Sequence, residues 1–170
     1  MRAGATRQVD APRLQSGLMQ AMKSSLQPIG QQPPRAAAIA LLERVNLPAA
    51  DITDQHVKSF FYTGAADAPT GMVGLEVYGT DALLRSLAVS EDARSAGIGT
   101  ALLAYAEDHA SSDGVHTLYL LTTTAEAFFA RRGYSRLDRA VAPAAIRSTR
   151  EFAGLCPSSS TFMFKRLQLY

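Results

Sequence analysis

LLRSLAVSEDARSAGIGTALLAYAEDHASSDGVHTLYLL, residues 83–121, decides the fold. Its first seven residues, 83–89, are nearly continuous in apolar character and short, which reads as a strand. SEDARSAG then breaks the pattern with polar residues and glycine. Next, IGTALLAYAEDHA places Ile98, Ala101, Leu102, Tyr105 and Ala106 at helical spacing, with Glu107 and Asp108 opposite. The pattern predicts a helix over 97–111, ended by Asp113-Gly114. VHTLYLL is apolar on both faces, as a central strand over 115–122 must be. Strand, helix and strand in this order form a β-α-β unit, so its two strands lie parallel.

Upstream, the pattern is antiparallel. VKSFFYTG (57–64) reads as a strand and GAADAPTG (64–71) as a turn-rich loop. MVGLEVYG (72–79) alternates, with Val73, Leu75 and Val77 on one face and Glu76 and Tyr78 on the other. A tight turn at Gly79-Thr80-Asp81 leads into 83–89. Earlier still, QPIGQQPP (27–34) is a break or a short edge strand, and Pro33-Pro34 suits the start of a helix over 36–45. A short second helix is expected over 51–56. Downstream, 124–133 reads as a short helix closed by Gly133, 134–139 as a strand, and 143–152 as a helix opened by Pro143. TFMFKRLQL (161–169) alternates as a last strand. The expected class is α/β of the α+β kind: a mixed, mostly antiparallel sheet with one parallel crossover and helices on both faces.

A chain of 170 residues suits one domain. Residues 1–25 are Ala-, Gln-, Ser- and Arg-rich and read as a flexible basic arm ahead of a domain over 26–170. The lone Cys156 excludes an internal disulfide and suits a reducing compartment. With no long apolar run and no secretory core, a cytoplasmic protein without a membrane anchor is expected. Charge is uneven. Residues 29–130 hold five basic and twelve acidic residues, whereas 131–170 hold eight basic and two acidic. A basic end on an acidic chain fits an anionic partner or a solvated face. Nucleic acid is a poor candidate, because interleaved aromatics and a strongly basic overall balance are missing.

Arg94-Ser-Ala-Gly-Ile-Gly99 follows a strand and opens a helix. A helix start leaves backbone N–H groups without partners and carries partial positive charge. Glycines let an anion approach, and an arginine adds a charge-assisted hydrogen bond. The spacing is neither the dinucleotide fingerprint nor a Walker loop. By itself it is an anion cradle or a tight turn.

R-x-x-G-x-G between the fourth strand and the third helix resembles the acyl-CoA-binding motif of the GNAT superfamily of N-acetyltransferases. Residues 125–134, AEAFFARRGY, resemble that family's second motif, A-x-x-F-Y-x-x-x-G-F, apart from two aromatic exchanges. GLEVYG (74–79), ALLRSLAV (82–89), LYLLTTTAEAFFARRGY (118–134) and PAAIRSTREFAGLCP (143–157) further resemble the subfamily encoded with arsenic-resistance operons. The resemblance implies the GNAT fold, acetyl-CoA as cosubstrate and transfer of acetyl to an amine in a ternary complex. The acceptor it implies is a small amino-acid-like, arsenical or xenobiotic amine, with a protein amine or a non-catalytic CoA-binding module as alternatives. Proteins of this kind often pair, so it also implies a homodimer. On this resemblance Arg94, Ser95, Ala96, Gly97, Ile98, Gly99 and Thr100 hold the pyrophosphate. Leu87, Ala88 and Val89 pair with the pantetheine arm, with the carbonyl polarised near Val89. Thr122, Phe128, Phe129 and Arg131 complete the cofactor site, and Arg131 and Arg132 either meet CoA phosphates or are solvated charges. Residues 147–151 face the acceptor.

Two positions depart from the family pattern. Ser95 stands where a glycine is common, which is harmless if φ there is negative. Phe129 stands where a tyrosine often protonates the leaving thiolate, and phenylalanine has no proton to give.

Acetyl transfer needs a neutral amine nitrogen, a proton acceptor and a polarised carbonyl. Glu76 is the candidate base, since a carboxylate on a central strand is costly unless paired or functional. A turn at Thr80-Asp81 would set it opposite Arg85, giving either a buried ion pair or a catalytic pair in which Arg85 holds a carboxylate or oxyanion of the substrate. His56, His109 and His116 show no metal-ligand spacing, and Cys156 has no C-x-x-C partner.

Overall fold

The structure is a computed structural model and describes residues 28–169. The arm expected over 1–25 lies outside the described residues. Seven strands form one sheet in the order β1-β2-β3-β4-β5-β7-β6. They are β1 (Gly30–Gln31), β2 (Phe60–Ala65), β3 (Ala68–Tyr78), β4 (Asp81–Val89), β5 (Thr117–Thr122), β6 (Ser135–Arg136) and β7 (Thr161–Arg166). The helices are α1 (Arg35–Arg44), α2 (Asp54–Val57), α3 (Ile98–Ser112), α4 (Glu126–Ala130) and α5 (Ala144–Arg147). β4 and β5 run parallel through α3, and every other neighbouring pair is antiparallel. The expected class and crossover are therefore present.

Both faces of the sheet are covered, because β3 and β4 alternate. Val73, Leu75, Ala82 and Leu84 meet Leu102, Leu103 and Ala106 of α3. Met72 and Ala88 face the other way, onto Ala38, Leu41 and Leu42 of α1. Leu83 packs with Ile146 of α5 and Phe162 of β7. Gly71 permits the close seat of α3: a Cβ there would lie 2.6 Å from Ile98 Cγ2 and 2.9 Å from Leu102 Cδ1.

Four local expectations are corrected. Residues 64–71 are not a long loop, since β2 and β3 zip on to Ala65 opposite Ala68, with a register shift at Thr63/Gly64. The β3–β4 turn is Gly79-Thr80, one residue earlier than expected, so Glu76 pairs with Leu83 rather than Arg85. The expected helix 143–152 is broken. Past α5 the chain passes Ser148 and Thr149 and winds into a π-helical turn, Glu151–Leu155, where Gly154 is non-helical. The strand expected over 134–139 shrinks to Ser135–Arg136, because Arg139–Val141 turns as a 3₁₀ helix capped by Asp138.

β4 is bent by a bulge. Met72 pairs with Ala88 and Gly74 with Arg85, so Ser86 and Leu87 together oppose Val73. Ser86 sits at φ +58°. Parallel pairing with β5 covers only Asp81, Ala82 and Leu83. Beyond Leu83 the two strands part, and the gap between them becomes the site.

Candidate functional site

A cleft of about 510 Å³ opens where β4 and β5 separate. Leu84–Val89 of β4 form one wall and residues 120–125 the other. Residues 45–48, after α1, and Glu151, Cys156, Pro157 and Ser160 close it from the side of the sheet that faces α1 and α5. Arg94, Gly99, Phe128 and Phe129 stand at the α3 end. Because β4 leaves the ladder after Leu83, its edge toward β5 offers unpaired backbone groups to a ligand.

The α3 end has the chemistry of an anion cradle. Gly97 caps the helix at φ +77° with no side-chain cap, and the first turn holds no acidic residue. The first helical hydrogen bond is Ala101 N–H to Gly97 O, so the amides of Ile98, Gly99 and Thr100 precede the ladder. A Cβ on Gly97 would meet nothing within 4 Å, and one on Gly99 nothing closer than 3.7 Å. The space before these amides is open. Arg94 Nε donates to Val89 O at 3.3 Å, which ties the loop to the end of β4. Ser95 takes φ +69°, so the condition for a harmless replacement of glycine is not met.

The second motif supports this loop from below. Arg132 stacks 3.6 Å over the Phe128 ring, donates to Phe128 O at 2.8 Å and reaches Thr100 Oγ1 at 2.6 Å. Its Nε is buried without a partner. Arg131, expected with Arg132 to meet phosphate, is exposed and does not line the cleft. Sequence reasoning could not separate the two arginines, because the choice depends on how α4 rotates against α3. Phe129 is buried and edge-on to Phe128 and Tyr134, so it joins the core as well as the cleft wall. Thr122 Oγ1 accepts from Ala125 N–H at 3.0 Å and closes the turn into α4.

At the opposite wall lies a charged cluster around Arg85, whose residue is 3% exposed. Arg85 Nη1 donates to Asp51 Oδ2 at 2.5 Å and to Glu76 Oε1 at 2.7 Å. Nη2 donates to Asp51 Oδ1 at 2.7 Å and lies 3.2 Å from Glu151 Oε1, while Nε donates to Ser86 Oγ at 3.1 Å. All three nitrogens are engaged within the protein. A substrate carboxylate would have to displace one of these partners.

Glu76 and Arg85 meet diagonally across the β3–β4 pair, on one face. Glu76 also accepts from Tyr78 OH at 2.8 Å and lies 3.2 Å from His56 Nε2. His56 Nδ1 accepts from the Thr53 backbone N–H in a reciprocal cap of α2, which leaves Nε2 as the nitrogen facing Glu76. Glu76 does not line the cleft; the carboxylate that does is Glu151. Asp51, His56 and Glu76 bring ligand-type atoms within 4.8 Å of one another. Asp51 and Glu76 already hold the Arg85 cation there, so the trio reads as an ion-pair network.

These contacts perturb the titrations. Burial opposes ionisation of Asp51, but the hydrogen bonds and charge of Arg85 hold its carboxyl below the usual value. Burial would lower the Arg85 pKa, yet Asp51, Glu151 and Glu76 raise it on balance. Glu151 goes up to about 7: burial comes first, and repulsion from Asp51 and Glu76 adds to it against the attraction of Arg85. Burial also pushes the Cys156 thiol up to about 11.

Asp51, Ser160 and residues 45–48 were not legible as site residues. Asp51 is one carboxylate in an acidic stretch, and its pairing with Arg85 spans 34 positions.

Comparison with known proteins agrees with the geometry. Residues 57–136 match the family model described as the acetyltransferase (GNAT) domain. An uncharacterised N-acetyltransferase of Chlorobaculum tepidum is 33% identical over 90 residues, covering 52% of this chain and 57% of that one. Among solved structures, the N-acetylglutamate synthase of Neisseria gonorrhoeae, complexed with coenzyme A and N-acetyl-glutamate, superposes with a TM-score of 0.70 at 24% identity, over 83% of this chain and 35% of that one. A Mycobacterium tuberculosis protein in complex with CoA superposes with a TM-score of 0.65 at 20% identity, over 83% of this chain and 99% of that one. The chain thus spans little more than half of its curated relative and about a third of the synthase. The fold is the GNAT fold.

Proposed function

We propose that this protein is an N-acetyltransferase that moves acetyl from acetyl-CoA directly to a primary amine of a small molecule. One observation carries the reading: an uncapped α3 N-terminus, open in front of Gly97 and Gly99, stands at the end of a cleft made by the parting of β4 and β5. Arg94, Ser95, Ala96, Gly97, Ile98, Gly99 and Thr100 would hold the pyrophosphate, with Arg132 bracing Thr100. The β4 edge at Leu87, Ala88 and Val89 would pair with the pantetheine arm. Acetyl-CoA supplies an activated thioester. The chain supplies orientation, a carbonyl-polarising amide near Val89 and a cleft with apolar walls.

Glu76 acts through Arg85 as a positioning residue, since it reaches the cleft wall only by that contact. The likeness of 143–157 to the arsenic-resistance subfamily supports an arsenical or other xenobiotic amine as acceptor, and the same likeness is the ground for expecting a homodimer. Isothermal titration with acetyl-CoA, followed by thiol release across amino acids, phosphonic and arsenical amines and peptides, tests the reading. Binding with release for one small-amine class is expected. Binding without release across the panel would favour a non-catalytic CoA-binding module. Failure to bind acetyl-CoA would remove both.

A further inference from the structure

We propose that Glu151 takes the proton from the acceptor amine and that Ser160 is a second polar anchor for the acceptor in the same cleft. This rests on the acetyltransferase reading above. Among the described residues that line the cleft, Glu151 is the sole carboxylate. Arg85 is shared among three carboxylates, and Glu151 has the longest contact of the three, 3.2 Å against 2.5 and 2.7 Å. Its ion pair engages Oε1, and a carboxylate has a second oxygen to offer. Ser160 is 5% exposed, lines the cleft, and its Oγ is buried without a hydrogen-bond partner. A buried orphan hydroxyl at a cleft wall is a place where a ligand completes the hydrogen bonding.

The surroundings suit a base. Arg85 faces Glu151 from β4, Asp51 from the loop before α2, Glu76 from β3, and Cys156 follows it at the end of the π-helical turn. With a titration near 7, Glu151 is poised to accept and return a proton at neutral pH. Cys156 stays a neutral thiol there and does not compete.

The step balances. The ammonium of the acceptor gives one proton to the Glu151 carboxylate. The freed nitrogen lone pair forms a C–N bond at the thioester carbonyl, and the C–S bond breaks with its electron pair going to sulfur. The second nitrogen proton passes to the thiolate, which accounts for a site where Phe129 has no proton to give. Products are the amide and the free thiol, and Glu151 returns its proton to solvent.

The test compares wild type with Glu151→Gln and Glu151→Asp, using the amine of the panel turned over fastest and, separately, hydroxylamine. Hydroxylamine nitrogen is already unprotonated at neutral pH and needs no base. We expect Glu151→Gln to lower kcat for the amine by about 100-fold or more. It should also erase the rise of kcat/KM through pH about 7, leaving acetyl-CoA affinity unchanged and hydroxylamine turnover within a few-fold. Glu151→Asp should keep the pH inflection at a reduced rate. Ser160→Ala should raise KM for the amine with little change in kcat. Equal losses for both nucleophiles in Glu151→Gln, or an unaltered pH profile, would overturn the proposal while leaving the acetyltransferase reading intact. Failure of the wild type to bind acetyl-CoA would overturn both.

Discussion

Ser95 holds a left-handed backbone, φ +69°, in the loop that would meet phosphate. A side chain in this region costs roughly 1–2 kcal/mol, part of which returns as lower entropy in the unfolded chain. Ser95→Gly is therefore expected to stabilise the protein by up to about 1 kcal/mol in urea unfolding, with acetyl-CoA affinity unchanged or improved. Glu151 makes a second prediction. Its folded pKa of about 7 exceeds its ordinary 4.5, so between these values the folded state binds more protons than the unfolded state. Stability contributed by this group is present below 4.5 and is lost as pH rises through about 7. The loss is on the order of 3 kcal/mol, and Glu151→Gln should flatten it in unfolding curves taken across this window. Asp51 acts in the opposite sense, losing its contribution as pH falls below its ordinary 3.8. Neither shift is legible in sequence: burial raises Glu151 against the attraction of Arg85, Arg85 lowers Asp51 against burial, and both environments arise only on folding.

At the scale of elements, the strand–loop–helix unit around α3 is where sequence and structure agree most closely. Apolar periodicity over 83–121 is strong enough to place β4, α3 and β5 within two residues of their observed ends. The region after Pro143 departs from its local pattern. Its composition favours one helix, yet the chain breaks at Ser148-Thr149, where Thr149 Oγ1 donates to Ile146 O at 2.7 Å and so competes with the helical ladder. That break turns Glu151 into the cleft wall. The open end of α3 carries the third prediction. Arg94→Ala removes a charge-assisted contact near the cradle, worth about 1.5–3 kcal/mol, so acetyl-CoA should bind at least tenfold more weakly in calorimetry. The deficit should shrink at high salt, and the melting temperature without ligand should hardly move, since Arg94 makes one exposed contact to Val89 O.

For the molecule as a whole, Arg85 joins three parts of the chain on the α1 side: β3 through Glu76, the loop before α2 through Asp51, and the π-helical turn through Glu151. Arg85→Met should destabilise by roughly 3–5 kcal/mol, because three carboxylates would lose their shared cation. Urea unfolding at neutral pH measures this, and the loss should lessen on acidification as the carboxylates protonate. Local periodicity and turn chemistry were enough to establish the β-α-β core, the two covered sheet faces and the glycine-flanked start of α3. Those properties depend on residues a few positions apart, whose side chains share a face whatever the rest of the chain does. Which arginine braces the loop, why Glu76 stays off the cleft, that Glu151 alone of residues 147–151 lines it, and that Ser160 joins it were decided only by tertiary structure. Each depends on a register, a bulge or a helix break that sets residues far apart in sequence within hydrogen-bond reach, and on the burial that raises the pKa of one carboxylate of the three.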